Sequence, residues 1–331
     1  MKYKALKDIC EIVNGYAFKS RDFTDAGIPN KIILDGLTYV PKEIAEKRSD
    51  YLIKVNDILL TMTGNRADGS PDSWVGKSAI FKDGGRYLLN QRVAIIRPKS
   101  DEVDVEYLSY YLSSWVTQLY FIKRANSSGG QANISPTIVG EYEIPIPELG
   151  TQKKIAGILS ALDEKIRIND KINENLEQQA LALFCHYFID FEPYGRSAPS
   201  TWSKVSLDDV CTRITDGSHY SPSDVPGAPY PMYSVKNMET YGFDSTSCKH
   251  ITAEDFHKMQ KNDCVPKLND ILVAKDGSYL KEIFICSEEK DEAILSSIAI
   301  FRPNTKVIIP EILLYLLKQP SVRKDVGDNY V

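Results

Sequence analysis

From Gln152 onward the apolar positions fall at Ile155, Ile158, Leu159, Leu162, Ile166, Ile172, Leu176, Ala180, Leu183, Phe184 and Tyr187, with polar residues between them. Steps of three and four dominate, which is the spacing of one helical face. Neither Pro nor Gly interrupts the run for more than thirty residues after Gly157. The pattern predicts one long helix, about thirty-six residues and roughly 55 Å at 1.5 Å per residue. A heptad register through 155, 159, 162, 166, 169, 173, 176, 180, 183 and 187 places Asn169 and Asn173 in the seam. Buried Asn there would cost stability but fix the register of a coiled coil. Ile168 and Ile172 lie beside those positions and can carry the stripe around the helix instead. An amphipathic rod of this length needs a partner for its apolar face. The expected packing residues are Ile155, Leu159, Leu162, Ile166, Leu176, Leu183 and Phe184. The alternative is a helix lying flat on one domain.

On either side of this segment the chain repeats itself. "LKDICEIVNG" (6–15) returns as "LDDVCTRITDG" (207–217), and "VNDILLTMTGN" (55–65) as "LNDILVAKDGS" (268–278). "LLNQRVAIIRP" (88–98) returns as "AILSSIAIFRP" (293–303), each time followed by an apolar helical segment, "VEYLSYYLSS" and "PEILLYLLKQ". The offsets are 201, 213 and 205 residues, in the same order, which marks an internal repeat. "NDILLTM" and "NDILVAK" predict short strands opened by an Asn-Asp turn, and "RVAIIRP" and "SIAIFRP" predict strands stopped by Pro. "LKDIC" and "LDDVC" predict one helical turn entering a strand. The expected fold is α+β: two related mixed α+β domains, 1–150 and 191–331, joined by a long coiled-coil-type helix within 151–190. The segments between the blocks differ freely, as expected of related recognition modules with different targets. A duplicated scaffold whose loops drifted without function is the alternative.

Length and composition agree with two soluble domains: 331 residues, 43% hydrophobic and 26% charged. No run approaches a membrane span, and the N-terminus lacks an apolar signal core, so a cytoplasmic protein without membrane attachment is expected. Six scattered cysteines without CxxC spacing predict small buried apolar residues. The net charge of −5 requires any basic surface to be local.

Catalytic motifs are missing from the sequence. Gly76-Lys77-Ser78 resembles the end of a phosphate-binding loop, but Pro71 stands where its first glycine belongs. There is no Pro-Pro for an adenine-methyltransferase motif and no nucleophile elbow. Cys248, His250, His257 and Cys264 do not follow zinc-knuckle spacing, so no metal site is expected. "TAEDFHKMQ" reads instead as a helix capped by Thr252, with Glu254 and Asp255 in its first turn.

The "LKDIC…NG" opening, "NDILLTMTG", "NQRVAIIRP", the "GGQANIS" turn and "IPIPELGTQKKIAGILSALDEKI" leading into the helix resemble the DNA-specificity subunit of type I restriction-modification enzymes. The resemblance spans essentially the whole chain. It implies a non-catalytic subunit whose two target-recognition domains each read half of a split DNA sequence. It also implies spacer helices that pack antiparallel and dock two modification (methyltransferase) subunits, and a restriction (translocase/nuclease) subunit that cleaves. S-adenosylmethionine, ATP and Mg would then belong to the partner subunits, with no cofactor on this chain. The family pattern carries a second conserved spacer helix that this sequence does not show, so a homodimer through the first helix is the expected substitute.

Base edges in the major groove are read by Arg, Lys, Asn and Gln, and phosphates by Lys, Arg, hydroxyls and amides. In the first module those types gather as Lys19, Ser20 and Arg21; Thr63, Asn65, Arg66, Ser73 and Lys77; Asn90, Gln91 and Arg92; and Lys123, Arg124 and Gln131. In the second they are Ser218, His219 and Tyr220; Lys236 and Asn237; and Lys275, Ser278 and Lys281. Taken singly, each also reads as a solvated loop residue.

Overall fold

The Asn-Asp motif opens the central strand of a sheet in both halves of the chain, and the same local chemistry does it twice. Asn56 and Asn269 sit in the left-handed region, at φ 72° and 69°. Among non-glycine residues Asn tolerates that conformation best, which lets the chain reverse into the strand. The next residue accepts a hydrogen bond from the backbone across the turn, Asp57 from Lys54 N at 2.8 Å and Asp270 from Lys267 N at 2.9 Å. Both Asp side chains are buried and clamped bidentately by the Arg of the Arg-Pro motif. Arg97 reaches Asp57 at 2.7 and 2.8 Å, and Arg302 reaches Asp270 at 2.8 Å twice. The computed structural model describes residues 2–18, 28–29, 39–64, 73–128, 131–276 and 281–322. Of the candidate DNA contacts, Lys19, Ser20, Arg21, Asn65, Arg66 and Ser278 lie outside the described residues.

The chain divides into two units, Met1–Lys171 and Ile172–Val331. The first holds an antiparallel four-stranded sheet in the order Cys10–Asn14, Val93–Pro98, Ile58–Thr61, Ser78–Ile80. The second holds its counterpart in the order Cys211–Asp216, Ile298–Pro303, Ile271–Ala274, Ile283–Ile285. Ile58 pairs with Ile96 and Ile80, and Ile271 with Phe301 and Ile285, so the two isoleucines hold the same place. Each sheet is buried on both faces, which is why its central strand reads as an apolar run rather than an alternation. In the first unit, Ile58, Leu60 and Ile96 pack against Leu108, Leu112 and Phe121, while Leu59 and Ile95 pack against Phe81, Tyr87 and Leu89. In the second, Ile271 and Val273 face Leu313, Leu314 and Leu317, and Leu272 and Ile300 face Tyr233 and Phe284.

The helical segments form as the sequence predicts. Leu6–Ile9 and Leu207–Val210 are single turns leading straight into strands. Val105–Ser113 is capped by Asp104, whose side chain accepts from Tyr107 N, and Pro310–Leu317 starts with Pro in its first turn. Ala253–Lys261 is capped by Thr252, which accepts from Asp255 N. Cys10, Cys264 and Cys286 are buried, and burial pushes the Cys10 and Cys286 thiols up to about 12. Cys185, Cys211 and Cys248 are only half-buried.

The long helix is Leu149–Phe184, 36 residues, followed by a π turn at Cys185–Ile189. Its first turns are held in the first unit by a buried Gln152, which accepts from Asp104 N at 2.9 Å and donates to Glu102 O at 2.9 Å and Pro147 O at 2.8 Å. Ala156 is buried beside it, and Tyr110 donates to Asp163 at 2.6 Å. In the second unit Glu177 takes hydrogen bonds from Lys318 and, at 2.8 Å, from Tyr241. Phe184 is buried there, its ring 6.1 Å from that of Tyr315.

Two expected packing residues need correction. Phe184 faces its own unit rather than a coiled-coil partner, and Leu159 is half-buried rather than on the open stripe. In the first unit the helix meets its neighbours through Gln152, Ala156 and Asp163, and in the second through Glu177 and the apolar Phe184. The apolar stripe lies on the adjoining face. Ile155, Ile158, Leu162 and Ile166 in the first unit are exposed, as are Ile172, Leu176 and Leu183 in the second, with values from 37% to 65%. Among the described residues no helix is long and apolar enough to cross a membrane.

Candidate nucleic-acid interface

Antiparallel pairing decides which loops share an end of a sheet. In the first unit Asn14 pairs with Ala94, Val93 with Thr61, and Leu60 with Ser78. Residues 14–16, 61–64, 76–78 and 90–93 are therefore neighbours at one end. Four backbone bonds tie them: Gly15 N to Val93 O, Tyr16 N to Leu89 O, Met62 N to Arg92 O and Gly76 N to Thr61 O, at 2.8–3.1 Å. Of the predicted contacts, Thr63, Lys77, Asn90, Gln91 and Arg92 meet here, with Gln91 and Arg92 exposed. A small sheet extends the group. Thr63–Gly64 pairs with Gln131–Asn133, which pairs with Asn126–Ser128. Thr63 Oγ1 donates to Asn133 Oδ1 at 2.8 Å. Lys123 and Arg124, both exposed, lead into that sheet from the end of helix Trp115–Ile122, with the Arg124 guanidinium 3.7 Å above the Tyr120 ring.

The second unit repeats the arrangement. Asp216 pairs with Ala299, Ala274 with Ile298, and Val273 with Ile283. Residues 216–219, 274–276, 281–283 and 295–298 thus gather at the equivalent end. Gly217 N bonds to Ile298 O at 2.9 Å and Ser218 N to Ile294 O at 2.8 Å, matching Gly15 and Tyr16. Both glycines are required by close approach. A Cβ on Gly15 would lie 1.8 Å from Asn90 O, and one on Gly217 would lie 2.5 Å from Leu295 O. His219 is exposed, its ring 3.8 Å from Asp216. Lys281 is exposed with Glu282 at 3.8 Å. Lys236 is exposed on a turn tied to this end by Val235 N donating to Ser297 Oγ at 3.0 Å.

Four predicted contacts are scaffold instead. Ser73 is fully buried, with its carbonyl accepting from Gln118 at 2.7 Å. Ser218 is buried and braces its own turn, donating to Tyr220 O at 2.8 Å and accepting from Tyr220 N at 3.1 Å. Asn237 is buried and accepts from Ser234 N at 3.1 Å. Short polar side chains serve a tight turn as well as they serve a ligand, and here the turn takes them. Lys275 is only half-exposed and paired with Asp216 at 2.5 Å, which cancels its charge. Tyr220 keeps an exposed ring, with its hydroxyl donating to Asp255 at 2.9 Å and the Lys258 ammonium 3.7 Å above the ring.

The structure adds residues the sequence did not single out. Arg48 donates to the Tyr16 hydroxyl at 3.0 Å and lies 4.3 Å above its ring, at the loop end of the first sheet. Trp74 is exposed beside Lys77, whose ammonium is 4.7 Å over the indole. An aromatic directly after the glycine in "NGY" was the available signal for Tyr16. Among the described residues no group of His, Cys, Asp and Glu is placed to hold a metal ion.

Comparison with known proteins falls on one family. A family model described as the type I restriction modification DNA specificity domain matches residues 1–178. The HindI specificity subunit of a type I restriction enzyme from Haemophilus influenzae is 36% identical over 130 residues, 39% of this chain and 28% of that protein. The MjaIX specificity subunit from Methanocaldococcus jannaschii is 31% identical over 225 residues, 63% of this chain and 49% of the relative. The EcoBI specificity subunit from Escherichia coli is 25% identical across 96% of this chain and 69% of that one. The chain thus spans half or less of the first two relatives. A crystal structure of a type I restriction-modification S subunit from M. genitalium shares the fold, with TM-score 0.56 at 15% identity, covering 99% of this chain and 78% of that one.

Proposed function

The chain belongs to the type I restriction-modification DNA specificity family, and from that premise we propose that it is the sequence-reading subunit of such a system. The observation that carries the proposal is the duplication of one scaffold with divergent polar loops at the same end of each sheet. Each end reads one half of a bipartite duplex target. Exposed Gln91, Arg92, Lys123 and Arg124 serve the first module, and His219, Lys236 and Lys281 the second. Base-edge contacts supply sequence preference and the lysines and arginines supply phosphate contacts.

The chain itself does no chemistry in this reading. Methyl transfer from S-adenosylmethionine belongs to modification subunits, and ATP- and Mg-dependent translocation and cleavage belong to a restriction subunit. The exposed stripe of the long helix is the docking surface for a partner helix. In the isolated chain a second copy takes that place in a two-fold, antiparallel pair. Sedimentation would then give a dimer that Leu162→Glu dissociates, and a monomer for the unaltered chain would exclude the pairing. The DNA reading is tested by mapping methylated adenines in cells that carry this protein with its modification partner. One bipartite motif is expected. Methylation without a motif, or at one uninterrupted motif, would contradict it.

A further inference from the structure

Trp74 is the most exposed of the three tryptophans, at 58%, on a backbone segment that several contacts hold. Its neighbours Ser73 and Val75 are both fully buried. Gln118 Nε2 donates to the carbonyls of Ser73 at 2.7 Å and Val75 at 3.3 Å, and Thr61 Oγ1 donates to the carbonyl of Trp74 itself. Gly64 presses on the segment from the other side: a Cβ there would lie 2.7 Å from Val75 N and 3.1 Å from Trp74 N. Gly76 closes the turn at φ +74°, with a Cβ excluded by the Phe121 side chain at 2.9 Å. With buried residues on both sides and its carbonyl held, the segment directs the side chain between them outward.

Leaving an indole in water is unfavourable, and rigid exposed aromatics are what interfaces use as anchors. Trp202, by contrast, packs against Phe188, Phe191 and Tyr194. Trp74 also stands beside Gly64 and under the Lys77 ammonium, at the loop end of the sheet. We propose that Trp74 is a specificity-determining residue of the first module, whose indole makes an apolar contact with one base of its half-site while Lys77 meets a neighbouring phosphate. A preorganised aromatic contributes without a large ordering cost, and in the major groove of a duplex the apolar feature that distinguishes one base from the others is the thymine methyl group. The inference rests on the DNA-reading function and names a residue for it.

The test uses the full chain assembled with its modification partner, a duplex bearing the mapped motif, and a scrambled duplex. Trp74→Ala should weaken binding to the motif about tenfold, within the range of one base contact in the groove, and Trp74→Phe should restore most of it. The salt dependence should be unchanged in Trp74→Ala, whereas Lys77→Ala should lower its slope by about one. An abasic position walked along the first half-site should find one place where the loss in the unaltered protein vanishes in Trp74→Ala. Trp74→Ala binding the motif as tightly as the unaltered protein, which itself discriminates against the scrambled duplex, would overturn this inference and leave the function standing. So would a lowered unfolding midpoint that accounts for the loss. Failure of the unaltered protein to discriminate would overturn both.

Discussion

Asp57 and Asp270 are the residues on which each sheet's central strand depends. Both are buried, and each neutralises an arginine from the neighbouring strand while bracing a left-handed Asn turn. Removing either aspartate leaves its arginine with one remaining carboxylate, Glu11 for Arg97 and Asp263 for Arg302, and takes the brace from the turn, at a cost of about 1–3 kcal/mol. Asp270→Ala and Asp57→Ala should each lower stability by about that much in urea unfolding, and a loss under about 1 kcal/mol would mean that water replaces the carboxylate. Asn269 offers a finer probe. At φ 69° an L side chain other than Asn is strained, so Asn269→Ala should cost about 1–2 kcal/mol, whereas Asn269→Gly should be close to neutral in thermal unfolding. The left-handed turns, Pro stops and apolar runs were legible because each depends on a few adjacent residues. The Arg–Asp clamps were not, since Arg97 and Arg302 find their partners 40 and 32 residues away. Ser73, Ser218 and Asn237 are buried where residue type alone suggests a DNA contact, for a related reason: nothing in residue type distinguishes a turn brace from a DNA contact. Trp74 carries no mark in the sequence because exposure of an aromatic depends on what pins the backbone around it.

The long helix shows how one element can present two faces. Its periodicity is plain in the sequence, but the docking face is hidden because, Phe184 aside, it uses Gln152, Ala156, Asp163 and Glu177 instead of the apolar stripe. Burial raises the Glu177 carboxyl, but hydrogen bonds from Lys318 and Tyr241, with the charge of Lys318, outweigh it and hold the pKa below its ordinary value. A depressed carboxylate pKa contributes stability that is fully present above the unfolded value, about 4.3, and is lost as pH falls through the folded one. Hydrogen-exchange protection of residues 172–184 should therefore fall as pH drops below about 4. In Glu177→Gln it should already be lower at neutral pH, by about 1–2 kcal/mol, and nearly flat across that range. Equal acid sensitivity in both proteins would assign the effect to other groups.

At the scale of the whole chain, duplication separates what must be kept from what can vary. The sheets, Asn turns, Arg–Asp clamps and close-approach glycines recur, while the polar residues at the loop ends do not match between modules. That is the division expected if each scaffold positions an independent reading surface. The most direct test is methylated-adenine mapping with variants confined to one sheet end. Gln91→Ala with Arg92→Ala should relax one half of the motif and leave the other intact, and His219→Ala with Lys281→Ala should do the reverse. A base-contacting group contributes about 1–3 kcal/mol of discrimination, so the loss should show as degenerate positions within one half. If each set instead degraded both halves equally, or neither, the two-module account would be contradicted.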